Sequence, residues 1–88
     1  MSNKELVYKL ALFLNENNLK MSAKELADFL NRNGYETSYG TEYEGGRGIY
    51  RLIKSAHTWR QDEKDDQDGA DAIALSFVNE AGEPAWAS

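Results

Sequence analysis

The chain has no cysteine, one histidine and one proline in 88 residues. Without cysteine there is no disulfide framework and no thiolate metal site, so packing alone has to hold the fold, a state that suits a reducing cytoplasm. The longest apolar run, Leu10 to Leu14, is far too short to span a bilayer, and the N-terminus has no basic stretch followed by an apolar one. No membrane role is expected. His57 has neither a cysteine nor an acid at helical spacing to make a dyad, and Ser55 falls on another side of the same segment, so an enzyme is not expected either. The acidic run Asp66-Gln67-Asp68-Gly69-Ala70-Asp71 invites a calcium loop. Aligning Gly69 with that loop's glycine puts Lys64 and Leu75 where acids are required, and no metal or cofactor is assigned.

What is present divides unevenly. The net charge is -5, yet residues 1–61 carry nine Lys and Arg against seven Asp and Glu, while residues 62–88 carry one Lys against eight acids. Between Gly45 and Gln61 there are four basic residues and no acid. The location of the charge is therefore more informative than its sum.

Patterning predicts a single, mainly α domain over 1–88 with three core helices and minor β content. Ser2-Asn3-Lys4-Glu5 reads as a capping box opening a helix over 3–17, with Leu6, Val7, Leu10, Ala11, Phe13 and Leu14 at helical spacing. Leu19-Lys20-Met21 is a connector with strand potential. Ser22-Ala23-Lys24-Glu25 repeats the capping box for a second helix to about Asn33, burying Ala23, Leu26, Ala27, Phe29 and Leu30 and stopped by Gly34. Tyr35, Thr37 and Tyr39 alternate with Glu36 and Ser38 as in a short strand, and a loop with four glycines runs from Gly40 to Gly48. Tyr35, Tyr39, Tyr43 and Tyr50 around these glycines either pin the loop to the core by their rings or stack on unpaired bases.

Helix three, from about Arg47 to Gln61, is strongly amphipathic. Ile49, Leu52, Ile53, Ala56 and Trp59 share one face, and Arg47, Arg51, Lys54, Thr58 and Gln61 the other. Asp62 to Asp71, with six acids, reads as a solvated linker inside the domain. Residues 70–81 fit a fourth short helix capped by Asp68 and stopped by Gly82, or a strand leading through Asn79–Glu83 into a hairpin of wing type; in both cases Trp86 docks the tail.

Ser22-Ala23-Lys24-Glu25-Leu26-Ala27-Asp28-Phe29-Leu30 resembles the positioning helix of helix-turn-helix and winged-helix proteins, and Gly48-Ile49-Tyr50-Arg51-Leu52-Ile53-Lys54 is similar to their recognition helix. The pattern covers residues 3–61. The resemblance implies DNA binding in transcription regulation or an accessory role, with Arg47, Tyr50, Arg51, Lys54 and Thr58 turned toward a groove. One departure from the family stands out: Gly34 to Gly46 intervene where the family uses a turn of about three or four residues.

Gly45, Gly46, Arg47 and Gly48 at the helix start form a candidate anion nest, or glycines that simply supply positive backbone angles. Gly40 and Gly45 have the spacing of a nucleotide P-loop, but Gly46-Arg47 stands in place of its Lys and Ser or Thr. The expectation is a nucleic-acid-binding protein of the cytoplasm. The alternative is a protein-interaction module, homodimeric or with another partner, using the acidic segment or the tail around Trp86. The sequence leaves open whether the acids of 62–71 fold back to mask the basic face, a question that deletion of 62–71 would test.

Overall fold

The computed structural model describes residues 2–43, 47–79 and 81–85, Arg47 by its backbone alone. The domain is mainly helical. Its elements are α1 (Asn3–Glu16), β1 (Met21–Ser22), α2 (Ala23–Arg32), α3 (Arg47–Thr58) running directly into a π turn (Trp59–Glu63), α4 (Gln67–Ser76) and β2 (Phe77–Val78). The strands pair in parallel, Met21 with Phe77 and Ser22 with Val78, and Val78 meets Pro84 in an antiparallel bridge. The connector at Met21 thus does pair, and its partner comes from the far end of the chain.

Helices α1 and α2 begin and end by the same chemistry. The Ser2 and Ser22 hydroxyls accept from the amides of Glu5 and Glu25, and the Glu25 carboxylate accepts in return from the Ser22 amide, completing a capping box on α2. At the C-termini, Leu19 N donates to Leu14 O and Asn18 N to Asn15 O; Tyr35 N and Gly34 N do the same to Leu30 O and Asn31 O. This double closure needs a left-handed residue, supplied by Asn18 (φ 54) and Gly34 (φ 78). Asn17 and Asn33 add side-chain bonds back to Phe13 O and Phe29 O. The shared endings are a repeated stop signal.

The core takes Val7, Ala11 and Leu14 from α1, Ala23, Leu26, Ala27 and Leu30 from α2, Ile49, Ile53 and Ala56 from α3, and Ala72, Ile73 and Phe77 from the last third. Helix α1 packs on α3 and α4, and α2 leans on α3. Phe13 and Phe29, expected inside, are exposed because each lies at the margin of its helix's apolar stripe, where no described element covers it.

Residues 35–39 form no strand. The backbone folds instead around Thr37, whose hydroxyl accepts from Tyr39 N and Thr41 N and contacts the Thr41 hydroxyl, while Thr37 N donates to Thr41 O. A local turn of this kind satisfies the backbone that a strand would leave waiting for a partner. The loop is then tied down at Tyr43. Asn31 brackets the Tyr43 backbone, donating to its carbonyl at 2.8 Å and accepting from its amide at 2.7 Å. The Tyr43 ring is buried and its hydroxyl accepts from Asn3 at 2.6 Å, so this tyrosine pins the loop, hydroxyl included. Tyr39 is fully in solvent.

The acidic segment is more ordered than its composition suggests. It contains the end of the π turn, a short connection in which Asp65 is left-handed (φ 50), and the first turn of α4, so it is not a linker throughout. Asp66, rather than Asp68, caps α4, its carboxylate accepting from Gly69 N at 2.9 Å. The helix and strand alternatives for 70–81 are both realised in part. Helix α4 carries Ala70 and Ile73 inward and ends at Ser76, where the buried hydroxyl donates to Ala11 O. Phe77 then turns extended to pair with Met21, because an apolar pair across β1 and β2 is gained only by leaving the helix. Asn79 N donates to Glu83 O and Gly82 is left-handed (φ 79), which forms the expected turn. Trp86 lies outside the described residues.

Candidate nucleic-acid interface

Burying Ile49, Ile53 and Ala56 fixes the rotation of α3, and with it the direction of everything a half-turn away. Arg51, Lys54, Ser55 and Thr58 therefore face solvent. They line an open groove of about 570 Å³ together with Lys4, Trp59, Asp62 and Glu63. Lys4 arrives from the first turn of α1, whose start is held beside the loop by the bonds from Asn3 to the Tyr43 hydroxyl and Glu36 O.

Of the five residues predicted for the interface, the structure brings three together: Arg51, Lys54 and Thr58. Tyr50 is half-buried, packs on the core, and lines a different hollow of about 250 Å³ beside Ser22, Lys24 and Asn79. A position 100° around the helix from Arg51 is carried to the α2 side. The Arg47 side chain is outside the described residues, as are Gly45 and Gly46 of the expected nest. Gly48 sits in the first turn of α3 without a positive φ, and a methyl group there would meet open space.

Lys4, Trp59, Asp62 and Glu63 were not among the predicted site residues. Lys4 comes from a helix far away in sequence, and only the fold reveals its neighbourhood. Trp59 sits at the border of the apolar stripe, half-buried, in contact with the Tyr8 ring and lining the groove. Asp62 at i+4 and Glu63 at i+5 from Thr58 are kept on the groove side by the π turn, whose marker is the Lys64 N to Trp59 O bond at 3.1 Å.

Lys4, Arg51 and Lys54 make no ion pair with a described residue. Arg60 is the opposite case. Nine residues after Arg51, in the π turn, it lies on the opposite side of the helical run and is consumed there: it pairs with Asp66, Nε donating at 3.1 Å, and its guanidinium lies 3.9 Å over the Tyr8 ring. Trp59 meets Tyr8 edge to face at 6.3 Å. The Arg60 guanidinium, and after it the Gly69 amide, hold the Asp66 carboxyl below the usual carboxylate range, against a smaller opposing effect of burial. The basic segment 45–61 thus contains two kinds of cation, one built into the fold and one left facing water.

Among the described residues no group of His, Cys, Asp and Glu is placed to hold a metal ion, and no helix is long and apolar enough to cross a membrane. No family model, curated protein or solved structure matches this chain.

Proposed function

We propose that this domain binds nucleic acid, DNA duplex in the first instance, through the exposed face of α3, as an accessory or regulatory protein acting in the cytoplasm and without enzymatic activity. The observation that carries the reading is the groove that Lys4, Arg51 and Lys54 line from two helices without an ion pair to any described residue. Arg grips phosphate or a guanine edge bidentately, Lys holds phosphate as a point charge, and the hydroxyls of Ser55 and Thr58 add backbone contacts. Kinship with helix-turn-helix proteins belongs to the same proposal. In its favour is that α2 leans on α3; the long connection over 33–46, pinned by Asn31 and Tyr43, takes the place of the short turn.

Fluorescence anisotropy with a short labelled duplex tests the reading. The wild type binds at low salt with log K falling against log salt at a slope of about -2.7, as three neutralised phosphates require. The Arg51→Glu/Lys54→Glu variant loses about a hundredfold, since two charge-assisted contacts are replaced by repulsion. Equal retention of the duplex by both proteins rejects the proposal.

A second reading, protein association, has its own observation. Leu19 and Leu75 are about half exposed and together line a shallow hollow of about 270 Å³ on the side of the molecule where Lys20 Nζ donates to Leu75 O. Sedimentation as a monomer, unchanged by Leu75→Ser, counts against it.

A further inference from the structure

The groove is not uniformly basic. Along α3 and the π turn its lining runs from the cations Arg51 and Lys54, past Thr58, to the carboxylates Asp62 and Glu63, and α1 contributes Lys4. Asp62 and Glu63 are the carboxylates of the acidic segment that line the groove; Asp65 and Asp68 are exposed as well but do not line it. Asp66 is taken up by Arg60 and Gly69, and Asp71 accepts from Gln67 at 2.8 Å. Asp62 and Glu63 are exposed, make no ion pair with a described residue and line the groove with their charge. They lie roughly one to two and a half helical turns from Thr58 and Lys54, roughly 6–14 Å along the axis at about 1.5 Å per residue, which is about one to two Debye lengths at physiological salt.

We infer that Asp62 and Glu63 are specificity-determining residues of this groove, which admits a nucleic acid only in an arrangement that keeps phosphates away from its acidic end. The inference rests on the nucleic-acid reading above and deepens it. A backbone phosphate carried past Thr58 meets the two carboxylates and is repelled. A base edge presenting an exocyclic amino group, as cytosine and adenine do in the major groove, meets acceptors. The consequence is suppression of sequence-independent binding, which runs almost wholly on phosphate charge. Only these two acids of the segment work in this way. Deleting 62–71 would remove part of the π turn and the start of α4, and so would test folding instead of masking.

Anisotropy titrations of a random-sequence duplex at low salt, with wild type, Asp62→Asn/Glu63→Gln and a control of equal net charge, Glu16→Gln/Glu83→Gln, decide the matter. Glu16 and Glu83 are exposed and outside the groove, Glu16 lying at the opposite end of α1 from Lys4. All three proteins are checked for unchanged melting temperature. The groove variant is expected to bind about tenfold tighter than wild type, with the gain shrinking as salt rises, and the control to stay within about twofold. Equal gains in both variants, or no gain in the groove variant of a wild type that binds, overturn the inference while leaving the underlying function standing. Failure of wild type and groove variant alike to bind any duplex rejects both.

Discussion

Arg60 and Arg51 belong to one continuous helical run and have opposite fates. Arg60 is half-buried, paired with Asp66 and laid over Tyr8, where it joins α1, the π turn and α4. Arg51 faces water with Lys54 and Lys4 and makes no ion pair with a described residue. A cation with an internal partner serves the fold, and removing it costs stability. A cation with no described partner costs the fold little to remove, and its loss has to be read in binding. The charge count of the segment does not make this distinction; the phase of the helix does.

Exchanging the two roles is the most direct way to break the comparison. Arg51→Glu/Lys54→Glu should lose about a hundredfold in duplex affinity by anisotropy, with a melting temperature within a degree or so of wild type, because exposed substitutions away from partners are close to neutral. A large drop in melting temperature would move these residues into the structural class. Next comes Gly69→Ala, which attacks the partnered side. A β-carbon at Gly69 would sit 2.8 Å from the Tyr8 ring and closer still to the Asp66 carboxylate, both part of the Arg60 cluster. A loss of about 2–3 kcal/mol in urea unfolding is expected, at the upper end for overpacking. Arg60→Met should be milder, forfeiting at least about 0.5–1 kcal/mol for the cation over Tyr8 while leaving duplex affinity within about twofold.

Acid sharpens the same contrast. The Asp66 carboxyl is held below its ordinary value in the folded state, so the unfolded chain takes up that proton at higher pH. The stability it contributes is present above the unfolded carboxylate range near 3.8 and is lost as pH falls through the lower folded value. Thermal unfolding of wild type should therefore steepen in its pH dependence below about pH 4, and Asp66→Asn should flatten it. The smallest effect belongs to Gly48→Ala. With open space for the methyl group and no positive φ, it should raise stability by under about 1 kcal/mol and leave binding unchanged; a lost duplex contact would restore the anion nest that the described backbone of Gly48 gives no reason to invoke.

Much of this molecule could be read from spacing. Ser22 with Glu25, the stripe Leu26, Ala27, Leu30, the stops at Asn18 and Gly34, and the buried face Ile49, Ile53, Ala56 are all local signals, and each is where it was expected. The failures are non-local. Tyr35–Tyr39 alternates like a strand, yet a strand needs a partner, and Thr37 offers a turn first. Residues 62–71 look solvated by composition, but Asp66 finds Arg60 across the π turn, and that pair fixes where α4 begins. Ser76 ends α4 because Phe77 has Met21 to meet, a residue far earlier in the chain. For the site, α3 was legible and its rim was not. Arg51, Lys54 and Thr58 follow from helical phase, whereas Lys4 and the acidic wall depend on how α1 and the π turn are brought alongside.

The central claim is that the open side of α3, with Lys4, receives nucleic acid. Backbone amide shifts during titration with a short duplex at low and moderate salt test it residue by residue. The account predicts perturbations at Lys4, along 47–61 and at Asp62 and Glu63, fading as salt rises, with the Leu19 and Leu75 hollow silent. Shifts centred on that hollow, or none at any ratio of duplex to protein, would contradict it.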